Sequence, residues 1–201
     1  DIPDRVDEIY LGADGLLYVC DTIGDMAAVY TQEGERLGSI DISAARFDQY
    51  SLRLEQSGDG AVWLRTEQGG SGYVYPIDSA ALTLGTEYDL PQNTQTLYTG
   101  NAEHPFLCAT DTELSWWSPS DGGTELILVW EECGISGGDD MRSILPDGDG
   151  FICLYAGCLA RISPASPDEV KPKVVLTMAA PWEESAADFN MQSDEYYIKV
   201  K

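Results

Sequence analysis

Positive charge is scarce in this chain. Eleven Lys and Arg stand against 35 Asp and Glu in 201 residues, a formal charge of −24. An electrostatic grip on nucleic acid or anionic lipid needs clustered Lys and Arg, so the composition argues against both partners. Histidine is rarer still, with His104 standing alone. One imidazole cannot build a Cys/His zinc cluster. A Ser-His-Asp arrangement could use only His104, which precedes Pro105 at a turn. No run of 18 apolar residues offers a membrane span. No G-x-S-x-G elbow, H-E-x-x-H helix or phosphate-binding Walker loop occurs, and no motif asks for a cofactor. The five cysteines form no CxxC pair, and their odd number leaves one thiol unpaired in a monomer. Cys153 and Cys158 flank a hairpin turn at Ala156-Gly157 that sets them diagonally, which makes a disulfide awkward. The strand cysteines read as small buried hydrophobes.

Hydrophobic residues are plentiful at 43%, and aromatics reach 10%, enough for a packed core. The charge is uneven along the chain. Residues 1–170 carry seven Arg and no Lys, whereas all four Lys (171, 173, 199 and 201) fall in the last 31 residues. This shift coincides with the Pro-rich stretch 163–172, so a boundary is expected there. The expected domains are 1–165 and 166–201.

The first domain repeats itself. Asp14-Gly15-Leu16-Leu17-Tyr18-Val19 matches Asp59-Gly60-Ala61-Val62-Trp63-Leu64 at an offset of 45. The same step leads to His104-Pro105-Phe106-Leu107 and then to Asp149-Gly150-Phe151-Ile152. Each window begins at a turn pair and continues as a strand. Glycine at the Asp-Gly turns accepts the positive φ that tight hairpins need. A second strand follows in each unit (Ala28-Val29-Tyr30, Tyr73-Val74-Tyr75, Ser115-Trp116-Trp117, Ala160-Arg161-Ile162). A closing apolar strand is expected at Leu37–Ile42, Leu82–Leu90 and Leu126–Trp130. Four-stranded meanders of about 45 residues are the unit of a β-propeller. The fold class expected is therefore mainly β, a four-bladed or incomplete propeller. Its blades lie at about 6–46, 50–92, 95–138 and 140–180, the last alternatively ending near 163. A β-sandwich of short hairpins is the competing architecture.

The tail changes period. An apolar strand at 173–178, a short amphipathic helix with Trp182, Ala186, Phe189 and Met191 as its apolar positions, and a strand at 196–200 make a βαβ segment. Alternatively, 173–178 is the outer strand of the fourth blade and the tail a closing strand. Val174-Val-Leu-Thr-Met, then Phe189-Asn190, then Tyr197-Ile198-Lys199-Val200 resembles the start of the first lobe of extracellular solute-binding proteins of ABC transporters. The repeats upstream are similar to the propeller-like regions that precede such a domain in some exported bacterial lipoproteins. The resemblance implies an N-terminal piece of a larger binding protein, lipid-anchored at the cell surface. It also implies that the loop at 180–183 faces a ligand cleft, where Trp182 would stack on a sugar ring beside Glu183. The plainer role for Trp182 is to pack the helix onto its sheet.

Two further groups of candidates remain. Trp116 and Trp117 are adjacent and point to opposite faces of one strand, so core is their default role, while one near a blade end could stack a glycan or peptide. Asp147 and Asp149, with Asp139 and Asp140, are oxygen-rich enough to hold Ca²⁺, although a hairpin capped by Asp side chains accounts for the same residues. The function expected is a non-enzymatic surface module, monomeric, taking a small solute, glycan or protein partner. The alternative is a propeller-type glycoside hydrolase or lyase fragment working with two carboxylates.

Overall fold

The computed structural model describes residues 5–21, 23–48, 51–133, 135, 141–164, 174–179, 183–193 and 195–200. Trp182, Asp139, Asp140 and most of the connector at 163–172 lie outside the described residues. The strands run in chain order as four antiparallel meanders. The first is β1 (Glu8–Leu11), β2 (Leu17–Asp21), β3 (Met26–Tyr30) and β4 (Arg36–Asp41). The second is β5 (Arg53–Gln56), β6 (Val62–Gln68) and β7 (Ser71–Asp78), closed by β8 (Thr83–Leu84) and β9 (Tyr88–Asp89), which both pair with β7. The third is β10 (Thr96–Thr99), β11 (Phe106–Ala109), β12 (Glu113–Trp117) and β13 (Thr124–Val129). The fourth has three strands among the described residues, β14 (Met141–Asp147), β15 (Gly150–Tyr155) and β16 (Cys158–Ile162). The fold is mainly β, with four blade-like antiparallel meanders in succession. The chain divides into two compact units, residues 1–108 with 116–125, and residues 109–115 with 126–201, the division passing through the third sheet.

Turn chemistry explains the repeat. Gly15 and Gly60 sit at φ 78° and 87°, and the aspartate before each caps its own turn. Asp14 accepts the Leu16 N–H at 3.0 Å and the Tyr18 hydroxyl at 2.6 Å, and Asp59 accepts the Ala61 N–H at 3.2 Å. The third unit solves the turn with Asn101, whose side-chain oxygen accepts the N–H groups of Glu103 and His104 at 2.9 and 2.8 Å. The fourth departs from expectation. The positive φ falls on Gly148, at 64°, because Asp147 pairs directly with Gly150 and the turn is Gly148-Asp149. Gly150 instead starts β15, where a Cβ would lie 2.3 Å from the Ile162 carbonyl oxygen.

Within the first unit, two apolar layers alternate with the sheets. Tyr18, Val29, Ile40, Leu54 and Leu64 form one layer from the first two sheets, and Val74, Leu97, Phe106 and Trp117 form another from the second and third. All five cysteines are free thiols; Cys20, Cys108 and Cys153 are buried, and Cys133 and Cys158 are exposed. Burial drives the Cys20 and Cys108 thiols up to about 12, so they stay protonated and inert. Ala156 and Gly157 both have positive φ, the turn that a two-residue hairpin prefers, and Cys158 faces Tyr155 rather than Cys153.

In the second unit, β17 (Val174–Met178), α1 (Glu183–Gln192) and β18 (Tyr196–Val200) follow the fourth meander, and β17 pairs with β18 in parallel. The tail is therefore a βαβ segment, and among the described residues β17 pairs with β18. Asn190 shows what fixes it. Its side-chain NH2 donates to the Ile198 carbonyl at 2.9 Å, and its oxygen accepts the Ile198 N–H at 2.6 Å. The amide thus acts as one residue of a neighbouring strand. Ala186 and Asn190, four apart, form the buried side of α1, whereas Phe189 stays 40% exposed, contrary to the expected apolar face. Replacing Asn190 with alanine leaves two part-buried backbone groups of Ile198 without this partner. We expect a loss of about 2–3 kcal/mol in the local opening energy of this segment, read as faster hydrogen exchange at the Ile198 amide.

Candidate functional site

The first unit holds a cleft of about 510 Å³ lined by Ser51, Arg53, Glu55, Arg65, Glu67, Gln95 and Thr96. Strand periodicity places its chemistry. Arg53 and Glu55 are two apart on β5 and share a face. Their partners across the ladder are Arg65 and Trp63 of β6. Arg65 is buried, with 8% of its side chain exposed. Its guanidinium donates to Glu67 Oε1 at 2.8 Å and to the Gln95 carbonyl at 2.9 Å, and lies 3.9 Å from Glu55 Oε1. A charged donor is thus fixed beside an open cleft before any ligand arrives.

The neighbouring carboxyls are strained electrostatically. Burial pushes Glu55 up to about 7, against the pull of Arg65, with repulsion from Glu8 adding to the rise and Arg53 opposing it. Glu8 on β1 is also raised, chiefly by burial, and its Oε2 is buried with no hydrogen-bond partner among the described residues. Tyr10, two residues along β1, donates its hydroxyl to Gln56 Oε1 at 3.3 Å. Folding thus raises the proton affinity of Glu55 from the ordinary 4.5 to about 7. Its contribution is favourable below pH 4.5 and is lost as pH rises toward 7, on the order of 3 kcal/mol over that window. Glu55→Gln should flatten this fall, as measured by urea unfolding at pH 5 and pH 8.

The residues singled out from sequence fall elsewhere. Trp117 is 1% exposed and packs on Phe106 at 5.7 Å between ring centroids, so it is core and offers no stacking face. Trp116 is half-buried, and His104 stacks on it at 5.3 Å with 21° between planes. His104 also lies 3.9 Å from Glu125. That imidazole faces an aromatic ring and an acid. Glu183 begins α1. Asp147 and Asp149 hold Arg161, at 3.3 and 3.7 Å, so the cation they meet is a guanidinium. No group of three or more metal-ligating side chains occurs among the described residues. No helix among them is long and apolar enough to cross a membrane.

Sequence reasoning missed Arg53, Glu55 and Arg65. A signal existed. The stretches Arg53-Leu-Glu55 and Leu64-Arg65-Thr66-Glu67 place charges inside two strands of one blade, in a chain with only seven arginines. A second polar cleft of about 550 Å³ lies along Gly70–Gly72 and Asp89–Thr94. In the second unit, a cleft of about 570 Å³ is lined by Ile127, Leu128, Cys133, Phe151 and Arg161 among others.

No protein-family model matches the chain, and no curated protein matches it in sequence. Among solved structures it is similar to a catalytically inactive virginiamycin B lyase from Staphylococcus aureus with quinupristin, at 14% identity over 84% of this chain and 60% of that one, TM-score 0.44. It is similar to Kuenenia stuttgartiensis hydrazine synthase at 12% identity over 77% of this chain and 43% of that one, TM-score 0.49. It is similar to the Dos1 propeller at 14% identity over 74% of this chain and 41% of that one, TM-score 0.45. The chain spans less than two thirds of the length of each of these structures.

Proposed function

We propose that this chain is a non-enzymatic binding module that captures a small solute, a glycan or a peptide segment in the cleft between β5, β6 and β10. The observation carrying this reading is the buried Arg65, held by Glu67 and the Gln95 carbonyl beside a cleft that also presents Thr96. Donors and acceptors fixed in advance are what orient a polar ligand at low entropic cost. The βαβ segment, clamped by Asn190, supports the further proposal that the module belongs to an exported solute-binding protein at the cell surface.

A thermal-shift screen of sugars and short peptides tests the site. A ligand at a hundredfold its Kd stabilises by about 2.7 kcal/mol, or several degrees in Tm. Thr96→Trp should fill the cleft and abolish the shift. A shift that survives Thr96→Trp would place binding elsewhere.

One observation favours a second reading. Glu55, held near 7 by burial, can be protonated at neutral pH, which a general acid of a lyase or glycoside hydrolase requires. Consumption of a screened ligand, lost in Glu55→Gln, would establish that reading instead.

A further inference from the structure

Arg53 and Arg65 are direct cross-strand partners on β5 and β6. Like charges placed opposite one another oppose strand pairing. The arrangement is unexpected here, because residues 1–170 hold only seven arginines among 30 acids. The two are not equally neutralised. Arg65 has Glu67 at 2.8 Å and Glu55 at 3.9 Å. The exposed Arg53 donates to the Leu52 carbonyl at 2.8 Å and has no carboxylate within 4.0 Å among the described residues. Arg53 acts on the Glu8 and Glu55 carboxylates only from beyond ion-pair distance, and it stands on the wall of the cleft, across from a second, fixed guanidinium.

We propose that the cleft recognises the carboxylate of a small hydroxylated acid, held by Arg53 with Arg65 behind it, while Gln95 and Thr96 meet its hydroxyl groups. Planar guanidinium forks match a planar carboxylate in two parallel hydrogen bonds. The cleft of about 510 Å³ suits a ligand of one or two sugar rings. A single negative charge fits better than a doubly charged phosphate, because Glu8, Glu55 and Glu67 also face this region. Glu55 is faced by Glu8 and Tyr10 of β1, Arg53 of β5 and Arg65 of β6. Its protonation below pH 7 lowers the negative charge that a bound carboxylate would meet. The inference rests on the reading of this cleft as a binding site and adds the class of ligand.

The test is an NMR titration of the arginine side-chain N–H signals at pH 6 in 20 mM salt, with glucuronate, glucose and inorganic phosphate as probes. The expected result is saturable movement of the Arg53 and Arg65 signals with glucuronate, at an affinity at least tenfold above that for glucose. Arg53→Gln should remove that tenfold preference, and 200 mM salt should weaken glucuronate binding several-fold. Equal responses to glucose and glucuronate would overturn the acid-specific proposal and leave the cleft as a sugar site. A stronger response to phosphate than to glucuronate would overturn it in favour of a phosphate site. No movement of any cleft signal with any probe would overturn this proposal, and the Thr96→Trp thermal screen would then decide separately whether the cleft binds anything else.

Discussion

Replacing Arg65 with alanine is expected to destabilise the protein by about 3–5 kcal/mol, the range for breaking a buried ion pair from one side. The cost comes from what is left behind. The Gln95 carbonyl loses its donor, and Glu55, about a fifth exposed, loses the guanidinium 3.9 Å away that offsets its burial. Glu67 is half exposed and can return to water, so it adds little. The loss should therefore be larger at pH 8, where Glu55 is ionised, than at pH 5. Arg65→Met combined with Glu55→Gln removes both charges and should recover most of the stability. Urea unfolding of the single and double variants at both pH values checks this. Equal losses at the two pH values would mean that the interaction with Glu55 contributes nothing.

Trp117→Ala should cost about 3–5 kcal/mol, from lost transfer energy and the cavity left between sheets. Trp117 is 1% exposed, with Phe106, Val74 and Leu97 in the same cluster. A comparison of two tryptophans sharpens the prediction. The Trp117 indole N–H is buried without a partner among the described residues, whereas that of Trp130 donates to the Thr110 carbonyl at 2.9 Å. Trp130→Phe gives up a part-buried hydrogen bond to the Thr110 carbonyl, so it should cost about 1 kcal/mol more than Trp117→Phe. Matched denaturation curves for the two phenylalanine variants measure the difference directly.

The repeat was legible because turns are local. Asp14-Gly15 and Asp59-Gly60 carry their own φ preference and cap, and these fix where each hairpin reverses. Long-range competition blurred the rest. The strand expected over 82–90 is broken into β8 and β9, because Pro76 of β7 has no N–H to give the ladder there. Its carbonyl instead accepts the Gly85 N–H at 2.8 Å. Trp130 was expected to end a strand, yet it starts a 3₁₀ turn that drives its ring into the core. The tail was readable from its change of period, but the role of Asn190 was not, because an amide imitating a strand leaves no periodic trace. The candidate site was the least visible part. Arg53, Glu55 and Arg65 matter because two strands bring them together, and register cannot be read from either strand alone.

The most direct test of binding without turnover is affinity retention of a panel of neutral sugars, sugar acids and short peptides on the immobilised chain. Mass spectrometry then reads the masses of what elutes. The account predicts selective retention of an intact ligand, lost in Thr96→Trp and weakened at least tenfold in Arg53→Gln. Elution of cleaved or eliminated products, dependent on Glu55, would contradict it and make the chain an enzyme.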